Sequence, residues 1–256
     1  MRTDLSAAGL SGLEPAAGEI IPVMLDVTDT ASIARAGDVV SERCGHTGLW
    51  AVVNNAGIAV TGPLECVPID MMRVQFETNV IGALAVSQQL LPLLRASGGR
   101  IVNVSSGLGI VAPPYLGAYS AAQFAKEGLS DALRRELRPL GVSVSVIHPP
   151  IVATPIWGKM RESADAIFAA TPAGVADVYR ARFTADLEAN EARARARKAT
   201  PTDYAHAVAT ALLARRPRPR YRLGADSWSG EIARRVMPDR VLDAYFAVRN
   251  KGSQRR

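Results

Sequence analysis

The chain has 256 residues, of which 48% are hydrophobic and 21% charged, and its formal net charge is +6. This composition supports one sizeable apolar core, so it excludes a disordered chain and fits a single domain over residues 1–256. The two cysteines exclude a disulfide framework, and the three dispersed histidines have no spacing suited to a metal ion.

The sequence predicts a cytoplasmic protein. No apolar run reaches the roughly 18 residues of a membrane span, and the first residues lack the uninterrupted apolar segment of a secretory signal. Basic residues concentrate at Arg193–Lys198 and Arg215–Arg222. Because these arginines alternate with Ala or Pro without an aromatic stacking platform, we interpret both runs as solvated faces and expect no nucleic-acid partner.

Strand-like and helix-like segments alternate, which is typical of an α/β fold with a doubly wound parallel sheet. Short apolar runs predict strands at Ile20–Leu25, Leu49–Val53, Ile101–Val104, Val142–Ile147 and, more weakly, Arg220–Leu223. Helical periodicity predicts helices near Ala31–Arg43, Met71–Arg95, Ala118–Leu137, Thr202–Ala214 and Val241–Val248. The segment 155–198 has two helical patterns and no strand, so we expect an inserted helical flap.

Polar or turn-forming residues follow each predicted strand, at the edge where open α/β sheets bind ligands. They are Asp26-Val27, Asn54–Gly57 (NNAG), Ser105–Gly107, and His148–Pro150 followed by Thr154. Each segment alone fits an ordinary turn or helix entry. Their joint placement predicts one site at the carboxyl edge of the sheet.

The chain resembles the short-chain dehydrogenase/reductase family from about residue 19 to the C-terminus. NNAG at 54–57 is similar to a structural and cofactor motif of that family. NVSS at 103–106 and the tyrosine of YSAAQ at 119–123 resemble its catalytic segment, and Asn79 matches its catalytic asparagine. The phrases TGPLE, DALRREL, RPRYRLG and MPDRVLDA are similar to the branch with retinol, steroid and hydroxybutyrate dehydrogenases.

The resemblance implies a Rossmann-like fold and hydride transfer between NAD or NADP and a secondary alcohol or ketone. It implies Tyr119 as acid/base, Ser106 as a hydrogen-bonding partner of the substrate oxygen, and Asn79 and Gln123 at the remaining catalytic positions. The cofactor-binding residues that it implies are Asp26, Val27, Asn55, Ala56, Gly57, Tyr119, Gln123, Val152 and Thr154. Plainer interpretations remain open: a capping Asp26, a backbone-bonding Ser106 and a half-buried helical Tyr119.

Gln123 departs from the family, which has lysine at this position. A lysine one helical turn from Tyr119 would place a cation near the phenol, which has an ordinary pKa of about 10. At about 4–5 Å and an effective dielectric near 20, such a charge is worth about 3–4 kcal/mol. Gln123 can hydrogen-bond a ribose but supplies no charge. Lys126 lies further along the same face, where we expect a solvated or interface side chain, with partial replacement of the missing charge as the alternative.

The family's first strand, Gly-rich turn and helix have no counterpart in this sequence. We therefore expect an N-terminally truncated fold that lacks the first βαβ unit, with that unit encoded in frame upstream of Met1. We also expect NAD or NADP to bind these 256 residues no more tightly than about millimolar. Without the unit, Ile20–Leu25 must either pair directly with Leu49–Val53 or leave the chain unstable. Pro150 replaces a usual glycine beside the nicotinamide site.

Two hypotheses remain open: an oxidoreductase, and a catalytically inactive relative that serves as a binding or assembly scaffold. Five apolar residues of the flap suggest a lid over a lipid-like or alicyclic substrate, or else simply the flap's own core. They are Trp157, Met160, Ile167, Phe168 and Phe183. The family habit of pairing the helices around Met71–Arg95 and Ala118–Leu137 implies a homo-oligomer.

Overall fold

A computed structural model describes residues 19–149, 156–196, 200–224 and 236–252, which fold around a four-stranded parallel sheet. Its strands are β1 (Ala51–Asn54), β2 (Arg100–Val104), β3 (Ser143–His148) and β4 (Arg220–Arg222), side by side in chain order. In the register, Asn54 lies beside Asn103 and Val104 beside Ile147. Four of the predicted strands and the parallel Rossmann-like architecture are therefore confirmed.

Eight α-helices of the described residues flank or extend this sheet. They are α1 (Thr30–Cys44), α2 (Ile69–Phe76), α3 (Gly82–Ser97), α4 (Gly117–Leu137), α5 (Ile156–Ala170), α6 (Ala173–Ala196), α7 (Pro201–Leu213) and α8 (Asp239–Gly252). Every predicted helix is present, and the flap patterns form α5 and α6. A π-helical segment, Glu77–Ile81, joins α2 to α3.

The predicted strand Ile20–Leu25 is wrong. Residues 19–26 have no regular secondary structure, and Ile20, Met24 and Leu25 are exposed to 45%, 66% and 43%. Among the described residues no strand pairs with the outer edge of β1, so Ile20–Leu25 has not moved across to it. An extended apolar segment becomes a strand only when a neighbour pairs with its backbone, and the described residues offer this segment no such neighbour.

Helices cover both faces of the sheet, and β2 and β3 are buried on both, which accounts for their apolar sequences. Ile101 and Val144 point to the side covered by α1, α3 and α4, where Leu94 is fully buried. Val102 and Ile147 point to the other side and pack against Ala211 of α7. The two sheet faces thus fix the helices that carry the polar residues of the carboxyl edge.

The joined helix Ile69–Ser97 has the length and apolar composition of a membrane-crossing helix, the one such case among the described residues. Core helices of α/β proteins share these properties. This helix packs against the sheet through Val86, Leu90 and Leu94.

Candidate active site

Ser106, Tyr119 and Gln123 meet at the carboxyl edge of the sheet. Ser106 follows the end of β2 and accepts a hydrogen bond from the Leu108 backbone N–H at 3.2 Å. Tyr119 and Gln123 lie one turn apart in the first half of α4. The Ser106 and Gln123 side chains lie within hydrogen-bonding reach of the Tyr119 hydroxyl. The arrangement joins a phenol to two neutral polar groups.

The pKa of Tyr119 is higher than the ordinary value of a phenol. Burial raises it, and the hydrogen bonds from Ser106 and Gln123 lower it by less. A neutral phenol donates a proton readily but does not act as a base near neutral pH. The raised pKa keeps this phenol neutral near neutral pH, as expected for a helix with glutamine at position 123.

Gln123 carries a buried acceptor without a partner. The residue is 3% exposed, and its Oε1 atom has no hydrogen-bond partner among the described residues. A buried amide oxygen of this kind is normally satisfied, so it requires a donor from outside the described chain. A ribose hydroxyl is such a donor, and the residue therefore fits the sugar of a nicotinamide cofactor.

Asn79 supports the loop after β1. It lies in the π-helical segment, is 1% exposed, and uses both ends of its amide on Ile58. Its Oδ1 atom accepts from the Ile58 N–H at 2.9 Å, and its Nδ2 group donates to the Ile58 carbonyl at 3.0 Å. Since π-bulges recur at functional sites, this geometry suits a residue that positions the NNAG loop.

Three of the expected cofactor-binding residues line one cavity of about 300 Å³ beside β1. Val27, Asn55 and Ala56 contribute to its wall, and most of the remaining lining comes from apolar side chains of α1, α3 and β1. The exposed Gly57 follows in the same loop. The Asn55 Oδ1 atom accepts from the Tyr204 hydroxyl at 2.7 Å, which ties this loop to α7.

Asp26 forms a turn rather than a helix cap. Its Oδ1 atom accepts from the backbone N–H and the hydroxyl of Thr28, at 2.9 and 2.7 Å. Asp29 caps α1 instead, by accepting from the Ala31 N–H. The expected nicotinamide contacts Val152 and Thr154, and the unusual Pro150, lie outside the described residues.

A buried polar chain beneath the site was missed by sequence reasoning. Asn54 Nδ2 donates to Ser87 Oγ at 2.9 Å and to Asn103 Oδ1 at 2.8 Å, and Asn103 Nδ2 donates to Ser130 Oγ at 2.9 Å. The chain thus runs from α3 through β1 and β2 to α4. The two asparagines are the first residues of NNAG and NVSS, each near the end of a predicted strand. That shared placement is the sequence feature from which their contact could have been predicted.

A second missed cluster joins α4 to β3 and β4. His148 Nε2 lies 2.7 Å from Glu127 Oε1, and Arg220 Nε donates to Glu127 Oε2 at 3.0 Å. Burial raises the pKa of Glu127, but the His148 hydrogen bond and the Arg220 charge hold it below its ordinary value. Arg220 also contacts Asp131 at 3.2 Å, so this part of the basic run is not a solvated face.

The flap packs on the segment between β1 and α2 and on the start of α4. Ile167, Phe168 and Phe183 are buried with Val60, Val67 and Ala118. Met160 is also buried, so most of the apolar flap residues form core. Trp157, Met160 and Phe183 also line a space of about 10 Å³ against Tyr115, room for about one water.

Tyr115 has a left-handed φ of 66°, which is strained for a residue other than glycine. Its carbonyl accepts from the Gly62 N–H at 2.8 Å and from the Thr61 hydroxyl at 3.2 Å. These two bonds hold the loop that leads into α4 in one conformation.

The chain is similar to named oxidoreductases. It is 40% identical over 202 residues to a 3-amino-tetrahydro-pyrrolizinone reductase of Xenorhabdus hominickii, covering 79% of this chain and 71% of that one. It is 36% identical over 238 residues to the 17-beta-hydroxysteroid dehydrogenase type 6 of Rattus norvegicus, covering 91% and 74%. The latter agrees with the steroid branch expected from the short phrases.

A solved structure agrees with the fold. It is that of a short chain dehydrogenase/reductase from Burkholderia phymatum in complex with NAD, with a TM-score of 0.66 and 26% identity. The match covers 80% of this chain and 72% of that one. A family model described as short chain dehydrogenase matches residues 3–165. The chain therefore belongs to the short chain dehydrogenase family of oxidoreductases.

Proposed function

We propose that the chain interconverts a secondary alcohol and a ketone, with Tyr119 as the proton donor and acceptor. The observation that carries this proposal is the meeting of Ser106 and Gln123 at the Tyr119 hydroxyl. A scaffold needs no half-buried phenol with two polar partners at the carboxyl edge of its sheet.

In the reduction, Ser106 and Tyr119 hydrogen-bond the carbonyl oxygen of the ketone. When bound, a nicotinamide would supply the hydride for the carbonyl carbon, or accept it from the alcohol. Tyr119 transfers its phenolic proton to the oxygen as negative charge develops there, and solvent returns a proton to the phenolate. Because the pKa of Tyr119 is raised, ketone reduction is favoured over alcohol oxidation near neutral pH.

The residues that would hold NAD or NADP divide into two groups. Gln123 offers its unpaired Oε1 atom, together with the Tyr119 hydroxyl, to the ribose beside the nicotinamide. Asp26, Val27, Asn55, Ala56 and Gly57 would hold the adenosine half, with Val152 and Thr154 at the carboxamide. We propose either NAD or NADP for these residues, so the test includes both cofactors.

The substrate that the flap favours is an apolar or alicyclic ketone. Trp157, Met160 and Phe183 meet Tyr115 at the space that the flap covers, and that space is too small for such a ketone in this conformation. We therefore propose that the flap, predicted over 155–198, opens for substrate entry and that the chain is one domain.

We also propose a cytoplasmic homo-oligomer. Val74 and Ile81 on the Ile69–Ser97 helix and Phe124 on α4 are exposed to 53%, 49% and 37%, on the helices expected to pair. Sedimentation equilibrium should give a mass that is a multiple of the 27.2 kDa chain; a monomer at micromolar concentration would contradict it.

An inactive scaffold is the second candidate, and the uncharged Gln123 is the observation that favours it. The test is the turnover of a panel of alicyclic and steroid-like ketones with NADH and with NADPH. Turnover by the wild-type chain that is lost in Tyr119→Phe supports the oxidoreductase. Binding of cofactor or ketone without turnover by a folded chain supports the scaffold.

A further inference from the structure

Lys126 is buried beneath the candidate site, contrary to the expectation of a solvated or interface lysine. It is 1% exposed and lies on the same face of α4 as Tyr119 and Gln123. Gln123 follows the tyrosine by four residues, about one helical turn, and Lys126 follows it by seven, about two turns. Its ammonium donates to the Val104 carbonyl at 3.1 Å. Val104 is the last residue of β2, two positions before Ser106.

The Val104 carbonyl is free for this contact because β1 ends too early to pair with it. On the far side of β2, the Ser105 N–H continues the ladder by donating to the Ile147 carbonyl at 2.9 Å. On the β1 side, the register would pair the Val104 carbonyl with the Ala56 N–H, but β1 ends at Asn54, and the Asn55 N–H turns back to the Val53 carbonyl at 3.1 Å. The strands part there, and Lys126 reaches the open carbonyl from α4.

Burying the Lys126 ammonium carries a desolvation penalty. Burial lowers its pKa to about 8, against a smaller opposing effect of Glu127. Glu127 is itself bound to His148 of β3 and to Arg220 of β4, so its charge is already compensated. A methionine has a similar length and carries no desolvation penalty. Packing alone therefore does not account for a lysine at this position.

We propose that Lys126 is a positioning residue of the active site, whose ammonium fixes the end of β2 and so holds Ser106 against Tyr119. The proposal rests on the proposed function, because it assigns Lys126 to the same reaction. It places the cation beneath the serine rather than beside the phenol, whose pKa is shifted by burial, Ser106 and Gln123.

The first test compares Lys126→Met with Lys126→Arg, and with Lys159→Met, which removes an exposed lysine of the flap. For Lys126→Met we expect kcat for ketone reduction to fall about tenfold or more, with a smaller change in KM. The same variant should resist urea better than wild type at pH 7. Lys126→Arg should retain more activity than Lys126→Met, and Lys159→Met should match wild type.

Two outcomes of this test overturn the proposal. One is unchanged kcat in Lys126→Met. The other is a parallel loss of stability and kcat, which is the result of a purely structural role.

The second test does not depend on activity. The carbonyl carbon of Val104 should change its NMR chemical shift with a midpoint near pH 8, where Lys126 loses its proton, and Lys126→Met should abolish that change. A Val104 signal that stays constant between about pH 7 and 9, or that titrates equally in Lys126→Met, overturns the proposal. If the wild-type chain reduces no ketone, the proposed function fails, while this titration still decides whether the ammonium acts on the strand end.

Discussion

Asn54 and Asn103 lie side by side in the register of β1 and β2, and the side-chain Nδ2 of Asn54 donates to the side-chain Oδ1 of Asn103 at 2.8 Å. Their side chains continue to Ser87 on α3 and to Ser130 on α4. This chain of hydrogen bonds joins the NNAG loop to the helix that carries Tyr119. Relative movement of the two halves of the site would break buried hydrogen bonds, so the site is held rigid.

Replacing Asn54 with Ala should lower the free energy of unfolding by about 1–3 kcal/mol, because it leaves Ser87 and Asn103 with unsatisfied buried groups. Urea denaturation measures the change. Gln88→Ala is the matched control, because it removes an exposed polar side chain next to Ser87 on α3 and should change stability by less than about 0.5 kcal/mol. Equal effects of the two substitutions would contradict the proposed role of the buried chain.

Glu127→Gln should destabilise the chain by about 3 kcal/mol at neutral pH, because Arg220 and His148 lose the carboxylate that they bind. The pKa of Glu127 is lower in the folded than in the unfolded chain, so its contribution is complete above the unfolded value. The contribution is lost as pH falls through the folded value.

The measurement is the free energy of unfolding of wild type and Glu127→Gln from neutral pH down into the acid range. The difference between them should shrink as pH falls below the ordinary pKa of a glutamate. A difference that stays constant with pH would mean that the carboxylate charge is not what stabilises this cluster.

Gln123→Lys should raise alcohol oxidation at neutral pH by about 10²-fold, with a smaller effect on ketone reduction. An ammonium near Tyr119 lowers the pKa of the phenol by roughly two to three units and so makes it a better base. Initial rates in both directions across about pH 6–10 provide the measurement.

Ala132→Lys is the control, since it places a lysine at an exposed position further along the same helix. It should leave both rates near those of wild type. If Gln123→Lys changes both directions equally and slightly, Tyr119 is not the acid/base.

The sheet was predictable wherever a strand has neighbours on the described chain. The strands β1, β2 and β3 matched because continuous apolar runs are typical of buried parallel strands, and the weaker prediction at Arg220–Leu223 matched β4. Ile20–Leu25 has the same kind of run and forms no strand, since pairing depends on a partner that no local pattern specifies. The break at Glu77–Ile81 was also not predictable, because a π-bulge keeps the apolar periodicity on either side.

The site was predictable in its residue types but not in its electrostatics. Ser106, Tyr119 and Gln123 were expected together and lie together, and their catalytic roles stay predictions. Lys126 was expected at the surface because charged residues are rarely fully buried unless paired. Its burial depends on the Val104 carbonyl, which accepts from Lys126 because β1 ends before it can pair there. The exact residue at which a strand ends could not be predicted from the sequence.

The most direct test of the proposed hydride transfer follows deuterium from the cofactor to the product. Ketone reduction with NADH or NADPH deuterated at the reacting carbon should give an alcohol with one deuterium on its carbinol carbon. In the same assay, Tyr119→Phe should be slower by about 10²-fold or more, while Tyr245→Phe, at an exposed tyrosine of α8, should match wild type. An unlabelled alcohol, or equal rates for wild type and Tyr119→Phe, would contradict the account.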